Sequence, residues 1–344
     1  MEATLNRERM TGQEPGAKKK GICGSTLKLI AIAAMLIDHI SATVLTRMLI
    51  VNGMGNVTSQ AQQEQWLREN AGLYGCMVVM RLIGRLGFPI FCFLLVEGFQ
   101  KTGNVKKYAL RLGLFALLSE IPFDLACHGK VLEFDYQNVF FTLFLGFLLM
   151  WAADTIEKGE FPKWFRNCLA VGGVVMLTVE LTGVIYSILC SVMQYQSGTL
   201  PETYVIVMIG AICAAVISLI VSFVRRRKGE GSVWKTLGYI AAVLLAIYAA
   251  NLLRTDYSGM GVLTIAVMYF LRKHKVRSML GGCIVLSLMS LIELPAFLTL
   301  IPVKLYNGER GLKLKYFFYA FYPVHLFLLW VICALMGMGG ISVV

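Results

Sequence analysis

The chain has 344 residues, of which 57% are hydrophobic and 15% charged, against roughly 25% charged for an average soluble domain. So much apolar surface exceeds what one globular core buries, which excludes a soluble protein and makes the bilayer the natural solvent. The net charge of +12 comes without aromatic–basic interleaving, so it speaks for cytoplasmic loops rather than for a nucleic-acid partner.

The fold class is therefore all-α: a polytopic integral membrane protein with about ten transmembrane helices, each needing about 20 mostly apolar residues. Residues 1–25 are polar, with Lys18, Lys19 and Lys20, and are expected to be a disordered cytoplasmic N-terminus. The first apolar run is too long for a cleavable signal peptide and reads as an uncleaved anchor. Expected spans follow at 26–50, 74–99, 106–126, 137–155, 167–193, 203–224, 234–253, 257–272, 279–300 and 317–338. They form one membrane domain over 26–338, and 339–344 is a short C-terminal tail. Alternating from a cytoplasmic N-terminus puts 20 Lys and Arg in inner segments and 7 in outer ones, the bias expected of a multi-pass protein of the cell membrane with both termini inside. Four of the seven outer cations, Lys304, Arg310, Lys313 and Lys315, lie in the loop 301–316, which breaks the rule: either the helix count fails late in the chain, or the loop is basic for another reason, such as binding an anion or lipid headgroups. The nine cysteines form no C-x-x-C pair and read as small packing residues, so no metal site is expected.

An ionisable side chain inside a transmembrane run costs a few kcal/mol on insertion scales and is a functional hypothesis by default. Asp38 and His39 lie mid-run in LIDHI; Arg81 and Arg85 share a face at i, i+4; Glu97 closes that run. Arg111, Glu120 and Asp124 follow in the third run, Gln137 and Asn138 open the fourth, and Glu180 and Glu293 lie in later ones. His325 shares a stripe with Tyr322 and Phe318. Pro89, Pro122, Pro295 and Pro323 sit beside Arg85, Glu120, Glu293 and His325; a helix kinked beside a charge suits a wet internal cavity. By depth, Arg85, Glu120, Asp124, Gln137, Asn138, Asp256, Tyr257 and His325 fall in the middle or outer half and His39 at the centre, which suggests one site opening outward. A plainer reading stands beside each: the arginines snorkel or pair with a carboxylate, Glu120 and Asp124 serve as their partners, and His128 and His274 are solvated loop residues. Asp38 and His39, adjacent and about 100° apart on a helix, are the hardest to explain as structure alone. Asp38 is expected to pair with Arg85, and a carboxylate from another helix, such as Glu120, to orient the His39 imidazole.

Seven segments resemble the TraX family, in the family's order: LIDHI at 36–40, GRLGFPIF at 84–91 with VEGF at 96–99, RLGLFALLSEIPFD at 111–124, QNVFFTL at 137–143, LLRTDYSGMGVL at 252–263, YNGERG at 306–311 and FFYAFYPVHL at 317–326. Residues 165–230 match nothing in that pattern and look like an inserted helix pair. The resemblance implies a membrane acyltransferase with acetyl-CoA as co-substrate and no bound cofactor, because the named family member acetylates the amino terminus of conjugative pilin. It leaves open whether the extracytoplasmic acceptor here is a protein or a glycan.

Acyl transfer needs a base for the acceptor proton and a donor for the carbonyl oxyanion. Histidine is the usual base near neutral pH, and of the four histidines only His39 and His325 are intramembrane. His39 is the expected base. Arg85, Asn138 and Tyr322 are candidate oxyanion or acyl-donor contacts, and the loop carrying Arg310 is a candidate for the donor's phosphates. Kinked helices with buried Asp, His and Arg also describe a proton-coupled transporter, which stays open as the alternative, as does a non-catalytic scaffold.

Overall fold

A computed structural model describes residues 21–159, 161–197, 201–312 and 315–344. Most of the polar head and Lys313 of the basic loop lie outside the described residues. The described residues are predominantly helical, and among them the only strand-like pairings are two isolated bridges, Ile22 with Tyr306 and Gln137 with Thr255.

The first rod is α1 (Gly24–His39), continued by a π-helical turn (Ile40–Leu45) into α2 (Thr46–Val51). The second is α3 (Gln60–Gly84), broken at Arg85 and Leu86 before α4 (Gly87–Lys101). Next come α5 (Val105–His128), α6 (Val139–Lys158), α7 (Lys163–Ser197), α8 (Thr203–Lys228), α9 (Glu230–Leu252), α10 (Ser258–Phe270) and α11 (Lys275–Met289). A 3-10 segment (Leu291–Thr299) leads into α12 (Leu300–Leu305), and α13 (Lys315–Leu335) is last. Seven stretches among the described residues are long and apolar enough to cross a membrane. The helix α5 is not among them because Lys106, Lys107, Arg111, Glu120 and Asp124 interrupt it, and α10 and α11 are short.

Polar side chains fix where the helices begin. Ser59 and Gln62 form a reciprocal capping box at α3, Asn104 accepts from the Lys107 amide at α5, and Asn138 accepts from the Phe140 amide at α6. The interior is built from Leu27, Ala31, Ile90, Phe93, Phe147, Ile265, Met268 and Leu286, all buried. Leu110, Leu114, Leu117 and Leu118 on α5, and most large apolar residues of α7 and α8, face outward, as a lipid-facing surface does.

One expected span is wrong. Residues 279–300 do not cross as a single helix. The chain turns at Ser290, whose backbone is extended (φ −159°, ψ 140°) and whose hydroxyl accepts from the Ile292 amide. Pro295 cannot donate to a helical ladder, and the 3-10 segment with α12 packs back along α11. Residues 305–312 therefore meet the start of α1, not the opposite end: the Ile22, Gly24 and Ser25 amides donate to the Leu305, Glu309 and Arg310 carbonyls. The Lys101 ammonium donates to the Gly308 carbonyl at 2.9 Å and that of Lys275 to the Lys304 carbonyl at 3.0 Å. The basic loop thus lies with the other cationic ends and breaks no charge rule. The last helix consequently runs the other way. The tail packs against the far end of α5, with the Val343 amide on the Cys127 carbonyl at 2.8 Å. The start of α1 and the C-terminal tail lie at opposite ends of the bundle, where the sequence suggested the same one.

Candidate functional site

The α3–α4 break points a charge into the bundle. Pro89 stands in the first turn of α4, where its missing N–H costs no hydrogen bond, and the break leaves Arg85 facing α1 and the 3-10 segment. All three guanidinium nitrogens are used: Nη2 on Asp38 Oδ1 at 3.0 Å, Nη1 on Glu293 Oε1 at 2.8 Å, and Nε on the Arg81 carbonyl at 3.1 Å. Arg81 Nη1 takes the other Asp38 oxygen at 2.6 Å. A Cβ on Gly84 would lie 2.1 Å from Asp38 Oδ1, so only glycine admits the carboxylate between its two arginines. The expected Asp38–Arg85 pair is present. Two cations and two carboxylates make a neutral centre, and Glu293 Oε2 within it is buried without a partner.

One residue on, His39 Nδ1 lies 2.6 Å from His325 Nε2, with the two rings 3° from parallel. His325 Nδ1 lies 2.7 Å from the Phe321 carbonyl one turn back on α13. That carbonyl can only accept, so Nδ1 of His325 carries a proton. In the neutral ring Nε2 is then the acceptor, and His39 must donate from its Nδ1. The lone pair of neutral His39 is left on Nε2, which has no hydrogen-bond partner among the described residues. A histidine, not Glu120, orients His39, contrary to the sequence-based expectation. Tyr322 stands edge-on to both imidazoles at 5.8 Å between centroids; its buried hydroxyl has the Val139 amide near its oxygen and no acceptor for its proton among the described residues.

A third wall comes from residues 253–258. Arg254, Tyr257 and Ser258 take positive φ angles of 49°, 62° and 45°, sparsely populated for side chains of this kind. The segment is bolted to the start of α6: the Gln137 amide donates to the Arg254 carbonyl at 3.0 Å, the Asp256 amide to the Gln137 carbonyl at 2.8 Å, and the Thr142 hydroxyl to the Asp256 carbonyl. Tyr257 thereby stacks on Phe88 beside the Arg85 break, with centroids 3.7 Å apart. Asp256 accepts from the Tyr136 hydroxyl at 2.8 Å; burial holds its carboxyl above the usual range, and the Tyr136 hydrogen bond opposes that shift.

The sequence candidates thus fall into three groups. Asp38, His39, Arg85, Tyr257, Tyr322 and His325 gather where α1, α4 and α13 meet. Glu120 and Asp124 are tied elsewhere: the Asn138 amide group donates to Glu120 and, at 2.8 Å, to the Ala116 carbonyl, while the Glu133 amide donates to Asp124 at 2.8 Å. These acids hold the start of α6 and the turn before it. Gln137 serves through its backbone, with its side chain on the Phe134 carbonyl. Arg310 is exposed at the end where α1 begins, and His39 lies fifteen residues further along that helix, about 22 Å away at 1.5 Å per residue.

Arg81 and Glu293 had only been counted as buried charges, yet both complete the centre; their signals were the i, i+4 spacing to Arg85 and the adjacent Pro295. Tyr136 gave none. Arg47 was also missed. It is fully buried, and it donates to the carbonyls of Ile341 at 2.9 Å, Thr43 at 3.3 Å and Leu125 at 3.4 Å. A further contact runs from its Nη1 to Cys333 Sγ at 3.9 Å, so it clamps the tail to α5 and α13.

Among known proteins, the family model for TraX protein matches residues 23–225 and 185–333. A probable fimbrial assembly protein FimC, serogroup H1, of Dichelobacter nodosus is 26% identical over 316 residues, which cover 88% of this chain and 92% of that one. No solved structure matches.

Proposed function

The chain belongs to the TraX family, and from that premise we propose that it is a membrane-embedded acyltransferase that moves acetyl from acetyl-CoA to an extracytoplasmic amine or glycan hydroxyl. The observation that carries the reading is the His39–His325 pair, in which a backbone carbonyl fixes the tautomer and leaves a lone pair on His39 Nε2. That atom takes the proton of the acceptor as its nitrogen or oxygen attacks the thioester carbonyl. The carbon–sulfur bond breaks, and the same proton passes to the departing thiolate. As His39 becomes cationic, its Nδ1–H bond to His325 becomes charge-assisted and stronger. Tyr322, whose hydroxyl proton has no acceptor among the described residues, is the best-placed donor for the oxyanion. Arg85 and Asn138 are committed to other partners. The relative named for fimbrial assembly favours a pilin-like amino terminus as acceptor.

In this reading the start of α1 faces the cytoplasm of a cell-membrane protein. Lys101, Lys275 and Arg310 then lie on the side from which acetyl-CoA arrives, and a cation there suits its phosphates. The test is acetyl-CoA turnover by purified protein in detergent, with a pilin-type N-terminal peptide and an oligosaccharide as acceptors. His39→Ala is expected to lose roughly 10²–10⁴ in turnover while donor affinity is kept. Normal turnover by His39→Ala would remove the base. One feature favours the carrier reading: two interrupted segments, at Arg85 and at Ser290, meet around a buried ion cluster. No transfer to either acceptor, together with proton-coupled flux in proteoliposomes, would establish that reading instead.

A further inference from the structure

A cavity of about 280 Å³ lies where α7, α8 and α9 come together at one end of the bundle, away from the histidine pair. Its lining is graded along the helices. At the helix ends are Lys163, Arg166 and Asn167 of α7, Arg225 of α8 and Glu230 of α9; further in come Ala170, Val171, Val174 and Val175, with Val221 and Leu237 opposite. The stretch from Lys163 to Val175 covers about 18 Å at 1.5 Å per residue. Beside the apolar part, Gly173 meets the Leu237 carbonyl so closely that a Cβ would lie 2.3 Å from it, so α7 and α9 touch there and close one side.

Three cations at the mouth face one carboxylate. Glu230 pairs with Arg225, which leaves Lys163 and Arg166 without a carboxylate among the described residues. The Arg166 guanidinium lies 5.9 Å from the ring centre of the buried Trp234, and its Nε is buried with no hydrogen-bond partner. Trp164 points outward beside it, 67% exposed, as tryptophans do at a membrane interface. Val171 and Val175 are more than half exposed, so the apolar wall opens sideways toward lipid. A small soluble anion would use the cations and leave the valine wall unused. An apolar chain alone would leave the shielded Arg166 Nε unsatisfied, which is costly for a donor out of reach of water.

We propose that this cavity holds one anionic phospholipid, its phosphate on Arg166 and Lys163 and an acyl chain along Val171, Val174 and Val175. The lipid would join the α7–α8 hairpin to α9 and fix the depth of that hairpin in the leaflet, consistent with the general affinity of basic interhelical pockets for anionic headgroups.

Full-length protein, delipidated in mild detergent, would be titrated with phosphatidylglycerol or phosphatidylcholine and read by native mass spectrometry. One phosphatidylglycerol is expected per chain, half-occupied at a concentration at least about tenfold below that for phosphatidylcholine, a difference of about 1.4 kcal/mol. Arg166→Glu should abolish the preference. Val174→Trp, which fills the groove without touching charge, should lower occupancy by both lipids, and it decides the matter if Arg166→Glu does not fold. Inorganic phosphate and coenzyme A at millimolar concentration should not displace the lipid. Equal retention of the two lipids, unchanged retention by Val174→Trp, or displacement by phosphate or coenzyme A would each overturn the proposal, the last in favour of a soluble-anion site.

Discussion

Replacing His325 by Phe separates orientation from catalysis. The substitution keeps an aromatic ring on α13 but deletes both nitrogens, so His39 Nδ1–H loses the acceptor 2.6 Å away. A hydrogen bond of this kind contributes about 0.5–1.5 kcal/mol net, or roughly two- to twelvefold in rate when it holds the base in place. The larger effect is chemical. Without an acceptor for Nδ1–H, His39 is free to carry its proton on Nε2, where the lone pair is needed. The wrong tautomer costs on the order of 10⁴ when the orienting group of a catalytic triad is altered. Turnover by His325→Phe should therefore fall by about 10- to 10⁴-fold, with the KM for acetyl-CoA little changed. His325→Gln restores an oxygen acceptor and should recover much of the loss. Four histidines in the whole chain make a ¹⁵N-histidine spectrum readable, and it should report His39 protonated at Nδ1. Equal losses in the Phe and Gln variants, or a wild-type spectrum with the His39 proton on Nε2, would refute the orientation argument.

Three further expectations concern the frame. Arg85→Met leaves Glu293 without its cation, while Asp38 keeps Arg81. Breaking a buried pair from one side costs about 3–5 kcal/mol, so the melting temperature should drop and Glu293→Gln in the same chain should recover part of the drop; a wild-type melt for Arg85→Met would mean the ion centre holds nothing together. Arg47→Met leaves the Ile341 carbonyl without its donor, at about 1–3 kcal/mol if it stays buried, while the Leu125 and Thr43 carbonyls keep the Gly129 and Thr46 amides. Amide exchange over 339–344 should accelerate, and unchanged exchange would show that the tail is held by something else. Cysteines introduced at Arg310 and Ser342 should be labelled from opposite sides of the membrane; labelling of both from one side contradicts the α11–α12 hairpin.

Much of the centre was legible because membrane burial makes charge conspicuous. Asp38, Arg85, His39 and His325 stand out in apolar runs, and the 100° between Asp38 and His39 separates an ion-pairing face from an imidazole face. The depth argument put His325 in the outer half on a last helix running the opposite way, and the structure moves it to mid-depth. His325 is the eleventh of 21 residues in α13, and a helix midpoint lies at mid-depth in either direction. The turn at Ser290 was not found because hydropathy stays high across it. Its signal was local: serine followed by glutamate three residues on, a pattern that starts helices, with Pro295 behind it. Arg47 escaped because one cation near the end of a long apolar run reads as snorkelling, and nothing local marks the Ile341 carbonyl, nearly 300 residues away, as its partner. Glu120 looked like an orienting acid, but only the fold puts it beside Asn138.

The π turn at Ile40–Leu45 sets the rotational phase of the first rod. His39 and Arg47 are eight residues apart, and in an unbroken α-helix they would point about 80° apart at roughly 100° per residue. A π turn carries one residue more than the α turn it replaces, which takes back about 100° and leaves the two within about 20° of one another. The same stripe can then present an imidazole to α13 and, further along, a guanidinium to the chain's tail. Losing one residue within 40–45 would turn the π segment into ordinary helix with both residues still in phase, whereas losing one between Gly24 and Asp38 would swing the ion pair and the imidazole away from the partners that meet them. The extra residue absorbs a change of length where the helix can least tolerate a change of angle.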